Sequence, residues 1–278
     1  MSESDQLEAW YRDILDTYTV DQRKAWYGTV ADAYNRFRPR YPQELIDSAI
    51  EAAHLPLNAT LLEIGCGPGT ATTAFAQLGY SMVCLEPSQA ACQLARQNCA
   101  PYPNVAIQTT TFEEWQLDAQ RFDAVLSATA FHWVSPEIRY VKAATALQDN
   151  GSLILLWNTP PQPKYDVYQV MNEVYQAQAP LLARYENRTT QAEQLRKIGQ
   201  AAIDAGLFKN LVSQQIICEM TYGIDEYLAL LSTLSPYIAL EPEKRTALFE
   251  GLSNVLERKC GERIETSYLS MFHVAQKT

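Results

Sequence analysis

A chain of 278 residues, 47 % hydrophobic and 19 % charged, can bury a substantial core as one enlarged α/β domain or a domain with a lid. Its net charge of −10 argues against a nucleic-acid substrate and against an anionic membrane surface, because phosphate binding needs a basic footprint and none is visible. No run reaches the roughly 20 apolar residues of a spanning helix.

The acidic N-terminus has no apolar stretch, so no signal peptide is expected. Residues 5–18 set Leu7, Trp10, Tyr11, Ile14, Leu15 and Tyr18 at helical spacing, which reads as a docking face. A second helix over 43–54 ends near Pro56, and a first strand over about 60–64 runs straight into Gly65, Gly67 and Gly69. A strand that ends in alternating glycines lets backbone come close to a ligand, since no Cβ intervenes. The next strand, 81–85, ends in Glu86, whose carboxylate can accept both hydroxyls of a ribose. Pro87 and Ser88 open a helix over 88–99; strands follow at about 104–108 and 123–128, then a helix at 137–147 and a strand at 151–157. This alternation means a parallel sheet with helices on both faces.

After Asn158 the pattern changes. Pro160, Pro161 and Pro163 form a linker, followed by a helix over 164–184, another over 190–205, a strand at 211–218, a helical block over 224–259 and a last strand at 265–275. The six cysteines make no Cys-x-x-Cys pair and fall largely within these elements, so they read as reduced core thiols of a cytoplasmic protein. No His, Cys, Asp and Glu cluster has metal-ligand spacing, and no metal is expected.

The glycine turn and the acidic strand tip together read as a nucleoside-cofactor site at the carboxyl edge of the sheet. The glycines run G-x-G-x-G behind Glu63, with Pro68 inside the turn, and not G-x-G-x-x-G as in dinucleotide folds. With its surroundings, Leu61 to Thr70 resembles motif I of the class I S-adenosylmethionine (SAM)-dependent methyltransferases. Phe122 to Ser127 and Gly151 to Trp157 resemble the fourth and fifth strands of that fold. Tyr34 to Pro42 and Ala130-Phe131-His132-Trp133 resemble segments of its small-molecule group, which includes the trans-aconitate methyltransferases. The match covers residues 26–160 and is weak beyond them.

The resemblance implies a Rossmann-like, doubly wound, seven-stranded sheet whose last strand is antiparallel, with helical lid insertions. On it, 1–160 form the SAM-binding core with its lead-in helices, 161–189 and 221–262 the lid, 190–220 and 263–278 the rest of the core. The alternative is that those helices pack beside the core or at an oligomer contact. It further implies SAM as cofactor and a small-molecule acceptor, in a monomer or homodimer.

Several residues follow. Glu63 can hold the glycine turn by accepting backbone N–H groups, while Gly65 and Gly67 let carbonyls meet the amino-acid end of the cofactor. Glu86 takes the ribose, and Pro87 and Ser127 complete the cofactor set. Thr111 and Phe112 stand where relatives place the adenine contacts; Thr111 either accepts from the adenine amino group or caps the next turn. Arg38, with Tyr34 one turn away, either clamps the cofactor carboxylate or makes a surface ion pair. His132 reads as a general base, as a hydrogen-bond partner of the acceptor, or as a loop-ordering residue. Trp26, Tyr27, Trp133, Ser235 and Tyr237 are expected to wall the acceptor pocket. Competing functions are a SAM-binding regulator or scaffold without catalysis and a nicotinamide-dependent oxidoreductase, which the glycine spacing disfavours. A third, cyclopropanation of lipids, is disfavoured by the acidic balance and the lack of a basic amphipathic helix.

Overall fold

The computed structural model describes the backbone from Val20 to Thr278 and side chains from Gly28 onward. The helix expected at 5–18 and the side chains of Trp26 and Tyr27 lie outside the described residues. Helices α1 (Val20–Phe37) and α2 (Gln43–Ala52) lead into β1 (Thr60–Ile64). Then come α3 (Thr72–Ala76), β2 (Ser81–Leu85), α4 (Gln89–Asn98), β3 (Val105–Gln108), β4 (Phe122–Ala128), α5 (Pro136–Ala146) and β5 (Leu147–Asn158). The chain continues through β6 (Gln162–Pro163), α6 (Tyr165–Gln178), α7 (Arg188–Asp204) and β7 (Phe208–Gly223). It closes with α8 (Ile224–Ser232), α9 (Ser235–Ile238), α10 (Pro242–Lys259) and β8 (Arg263–Lys277).

The strands form one sheet in the order β3-β2-β1-β4-β5-β8, with β7 along the far side of β8. The pairs from β3 to β5 are parallel, and β8 is antiparallel to both β5 and β7. The central strands are nearly all apolar, as Leu61-Leu62 and Val125-Leu126 show, because helices cover both faces. Two cores result. One holds Leu61, Phe75 and Leu126 under α2, the other Leu62, Phe122 and Leu153 under α5. Strand order reverses between β1 and β4, the place where open α/β sheets form a crevice at their carboxyl ends.

Eight strands stand where seven were expected. The extra one, β6, comes from the proline linker: Gln162 and Pro163 pair with Ser267 and Thr266. Its proline is tolerated because the strand is an edge with no further ladder to supply. Strand β7 is also longer than expected, pairing with β8 from Phe208 opposite Lys277 to Gly223 opposite Arg263. β5 reaches only Asn158, opposite Ser270, so the β7–β8 ribbon runs on past the sheet's carboxyl edge.

The remaining helices are mounted on that extension. α6, α8, α9 and α10 share a third core of their own, containing Met171, Tyr175, Leu230, Leu248, Leu252 and Ile264. In α10 the residues Leu248, Leu252 and Leu256 recur every fourth position and are fully buried, an amphipathic stripe turned on its neighbours. α7 lies instead against the sheet. A Cβ at Gly199 would stand 2.5 Å from the His273 ring of β8, so only glycine permits this approach. His273 is bonded on both sides, Nε2 to Leu195 O at 2.8 Å and Nδ1 to Ser213 Oγ at 2.7 Å.

Candidate functional site

A cavity of about 1420 Å³ opens over the carboxyl edge, between the switch point and the helices carried by the ribbon. Its floor begins with the turn after β1. Gly65, Gly67 and Gly69 all have positive φ, from 55° to 86°. A Cβ at Gly65 would meet Ala130 Cβ at 2.5 Å, whereas one at Gly67 would meet nothing within 4 Å. Gly65 therefore serves close packing of two turns, and Gly67 keeps backbone bare at the cavity floor.

Glu86, at the tip of β2, is buried and lines the cavity. Its Oε2 accepts from Gly67 N at 2.9 Å and its Oε1 from Ser88 N at 2.8 Å. Burial raises its pKa and these two bonds lower it. Each oxygen has used one acceptor direction on the backbone and retains another, so the carboxylate is fixed in place and can take two hydroxyls. Pro87, Ser88, Thr111 and Phe112 continue the wall, and Ala31 and Tyr34 of α1 face it from the opposite side. A bare glycine backbone beside a clamped carboxylate fits a nucleoside with vicinal hydroxyls. No phosphate-binding basic cluster is needed.

Four expected cofactor contacts are differently employed. Glu63 is fully buried outside the cavity and accepts from Thr72 Oγ1 at 2.6 Å instead of from turn N–H groups; burial pushes its pKa up to about 7. Ser127 is also buried away from the cavity, where its hydroxyl donates to Ile64 O at 2.9 Å and ties β4 to β1. Thr111 lines the cavity, but its Oγ1 accepts from Glu114 N at 3.1 Å and lies 3.1 Å from Glu114 Oε2, which makes it a cap. Arg38 also lines the cavity and packs over Tyr34, yet its Nε and Nη2 donate to Thr233 Oγ1 and O at 2.7 and 2.9 Å. In this conformation Arg38 joins α1 to the end of α8.

Beyond β4 the chain turns sharply. Thr129 takes φ 55°, a region that a β-branched residue enters only at a cost of about 1–3 kcal/mol. Its hydroxyl meets Tyr41 Oη at 2.7 Å, and its N–H donates to Leu156 O at 2.8 Å. This strained turn aims the short 3-10 helix Phe131–Trp133 into the cavity. His132 lies there between the rings of Trp133 and Trp157, with centroids 4.7 and 5.0 Å away. Burial and the Arg139 guanidinium push its pKa down to about 3. So weakly basic an imidazole donates or accepts a hydrogen bond well and removes protons poorly.

The far wall is aromatic. Trp133, Ser235 and Tyr237, expected from sequence to wall an acceptor pocket, line this cavity together with Trp157, Tyr168, Tyr175 and Tyr227. Tyr237 Oη meets Tyr175 Oη at 2.7 Å. Asn158 was missed by sequence reasoning: its Nδ2 donates to Pro39 O at 3.2 Å and its Oδ1 accepts from Ser270 Oγ at 2.6 Å, stapling the lead-in segment to the sheet. Tyr268 and Tyr222 add hydroxyl bonds to Arg40 O and Phe37 O. The position of Asn158 at the end of an apolar strand is the only sequence signal for it. Nothing in the sequence marks Thr129.

Residues 61–151 match the family described as a methyltransferase domain. An uncharacterized methyltransferase of Mycobacterium tuberculosis is 36 % identical over 126 residues, covering 45 % of this chain and 49 % of that one. The chain thus spans about half the length of the curated relatives it matches. Among solved structures, a putative type II methyltransferase from Anaeromyxobacter dehalogenans aligns with TM-score 0.64 and 20 % identity, over 86 % of this chain and 98 % of that one. The [4+2]-cyclase SpnF aligns with TM-score 0.56 and 13 % identity, over 94 % and 97 %. These likenesses establish the Rossmann-like methyltransferase fold, and the cyclase shows that this fold alone does not fix a reaction. Among the described residues, no helix is long and apolar enough to cross a membrane and no group of three or more His, Cys, Asp or Glu is placed to hold a metal ion.

Proposed function

We propose that this protein is a SAM-dependent methyltransferase acting on a small organic acceptor. The observation that carries this reading is Glu86, clamped by Gly67 N and Ser88 N beside a glycine that leaves the cavity floor open. The match of 61–151 to a methyltransferase domain supports it. When bound, SAM supplies an electrophilic methyl group on a sulfonium, open to in-line displacement. The protein's own task is to align the partners and exclude water. Glu86 would hold the ribose, the Gly65–Gly67 backbone would pass the amino-acid end, and Tyr34 with the remaining face of Arg38 would close that side.

The acceptor side lies toward His132, Trp133 and the aromatic wall, and aromatic surfaces with few polar groups suit a small, partly apolar molecule. Because His132 is held neutral, we assign it to orienting the acceptor by a hydrogen bond, not to removing its proton. The segments 161–189 and 221–262 act as a lid in this reading. Their separate core, and the Arg38 to Thr233 bonds that join them to α1, support it. The six free cysteines fit a reducing compartment such as the cytoplasm. The test is incubation with methyl-labelled SAM and a metabolite mixture: label appearing in a small product supports the reading. Tight SAM binding without transfer to any acceptor would favour the regulator instead.

A further inference from the structure

The cavity exceeds the ~300–1,000 Å³ usual for a single-ligand pocket. Glu86 sits at the β2 tip on one side of the switch point. On the other side, past His132, a second lobe is walled by α5 and by α7, which covers β8. Arg139 and Tyr140 of α5 face it, with Gln194, Leu195 and Ile198 of α7.

Two donors in this lobe lack acceptors. Arg139 Nε and Gln194 Nε2 are both buried, and neither has a hydrogen-bond partner. A buried donor left unmade costs about 1–3 kcal/mol, so a pair on one cavity wall calls for explanation. The Arg139 guanidinium rests over Tyr140 and Phe131, 5.0 and 6.0 Å from their centroids, and has no carboxylate within ion-pair distance among the described residues. The carboxylates of the cavity wall are already engaged. Glu86 takes two backbone N–H groups, Glu113 accepts from Ser135 N, Glu114 Oε2 accepts from Thr111 Oγ1, and Glu186 lies 3.8 Å from Arg184. The Arg139 guanidinium also bonds Tyr140 and feels the Glu137 charge, but its buried Nε keeps no acceptor, and an anion would supply one.

We propose that the acceptor is an organic anion, its carboxylate held by Arg139 and Gln194 while its apolar body lies toward His132 between Trp133 and Trp157. This rests on the methyltransferase reading and assigns that site a substrate class. A carboxylate in the lobe brings two acceptor oxygens to a wall that offers these two donors, and the guanidinium edge suits it better than a neutral oxygen. It also offsets the charge that depresses the basicity of His132, so bound acid raises the imidazole pKa.

The test is ligand-observed NMR on the full chain saturated with S-adenosylhomocysteine. The probes are benzoate, phenylacetate, 3-phenylpropionate, hexanoate and glutarate, each against its primary amide. At least one acid is expected to bind about tenfold tighter than its amide. Arg139→Gln should abolish that preference, Arg139→Lys should keep part of it, and Gln194→Leu should weaken the acid about threefold. The His132 ring signals should titrate at higher pH with the acid bound. Melting curves of each variant confirm folding, and Gln194→Leu stands as an independent probe should Arg139→Gln unfold. The proposal is overturned if no acid binds, if amides bind as well as acids, or if folded variants leave acid binding unchanged. Failure of S-adenosylhomocysteine to bind while the acid preference persists overturns the methyltransferase reading alone.

Discussion

Gly65 and Gly67 offer a paired test, because the same substitution at two positions of a single turn should fall mainly on the fold at one and on the ligand at the other. Gly67→Ala adds a methyl that meets no protein atom within 4 Å, at φ 55°. Its only cost to the fold is left-handed strain, about 1–2 kcal/mol, or a melting point lower by about 2–8 °C for a chain of this size. The same methyl stands at the cavity floor beside Glu86, where the nucleoside must pass, and should weaken S-adenosylhomocysteine at least about tenfold. Gly65→Ala carries the same strain plus a contact of 2.5 Å to Ala130 Cβ. Overpacking of that kind adds about 1–3 kcal/mol, so this variant should lose roughly twice the stability. Urea melts and calorimetric titration of both variants suffice. Unchanged affinity in a folded Gly67→Ala protein would mean that the cofactor does not cross this turn, and equal stability of the two variants would contradict the turn's geometry.

Other expectations follow from the same site. Glu86→Gln removes the charge and turns one carboxylate oxygen into an amide nitrogen that cannot accept, so SAM should weaken by about 1.5–3 kcal/mol and the fold should lose about 1–3 kcal/mol for the stranded Gly67 or Ser88 N–H; titration calorimetry reads the first and melting calorimetry the second. His132→Ala should lower kcat with the S-adenosylhomocysteine Kd unchanged. Because burial holds the His132 pKa near 3, its loss should remove no limb of the pH–rate profile between pH 5.5 and 7.5. Burial likewise pushes the His273 pKa down to about 4. The unfolded chain then takes up that proton first as pH falls, so His273 contributes stability that is present above its unfolded pKa of about 6.5 and lost toward pH 4, on the order of 3 kcal/mol. Glu63 works the other way. Its folded pKa is raised to about 7, so its contribution is full at low pH and lost as pH rises through that value. Urea midpoints of the wild type and His273→Gln across pH 4–7 isolate the histidine, since Glu63 is common to both; parallel curves would refute the assignment.

β1 and β2 were legible because each is a short apolar run closed by a glycine or a charge, Gly65 in one case and Glu86 in the other. The runs ending at Ile64 and Leu85 coincide with their expected bounds, and the antiparallel last strand falls where expected. β7 was underestimated because Lys209 and Asn210 before the expected run, and Glu219 and Thr221 after it, are exposed polar residues of an edge strand, where apolar alternation is not required. The helical block after Gly223 resolves into three helices, α8 to α10, separated by Thr233-Leu234 and by the stretch before Pro242.

In the site, Glu86 and the glycines were readable because their chemistry is local: a carboxylate at a strand tip and backbone without Cβ. The other assignments depend on distant partners. Arg38 meets Thr233 across 195 residues, and Ser127 meets Ile64 across 63, and no spacing within a single segment encodes either. Thr111 was readable as a cap from Glu114 three residues on. Arg139 and Gln194 look like ordinary helical surface residues until α5 and α7 are seen to wall one chamber.

The central claim is that Glu86 and the Gly65–Gly67 turn hold the nucleoside of SAM. Isothermal titration of the wild-type chain with S-adenosylhomocysteine, with NAD as control, tests it most directly. One site per chain with micromolar Kd, and loss of that heat in Glu86→Ala, is the predicted result. Heat with NAD and none with S-adenosylhomocysteine at millimolar concentration would contradict the account.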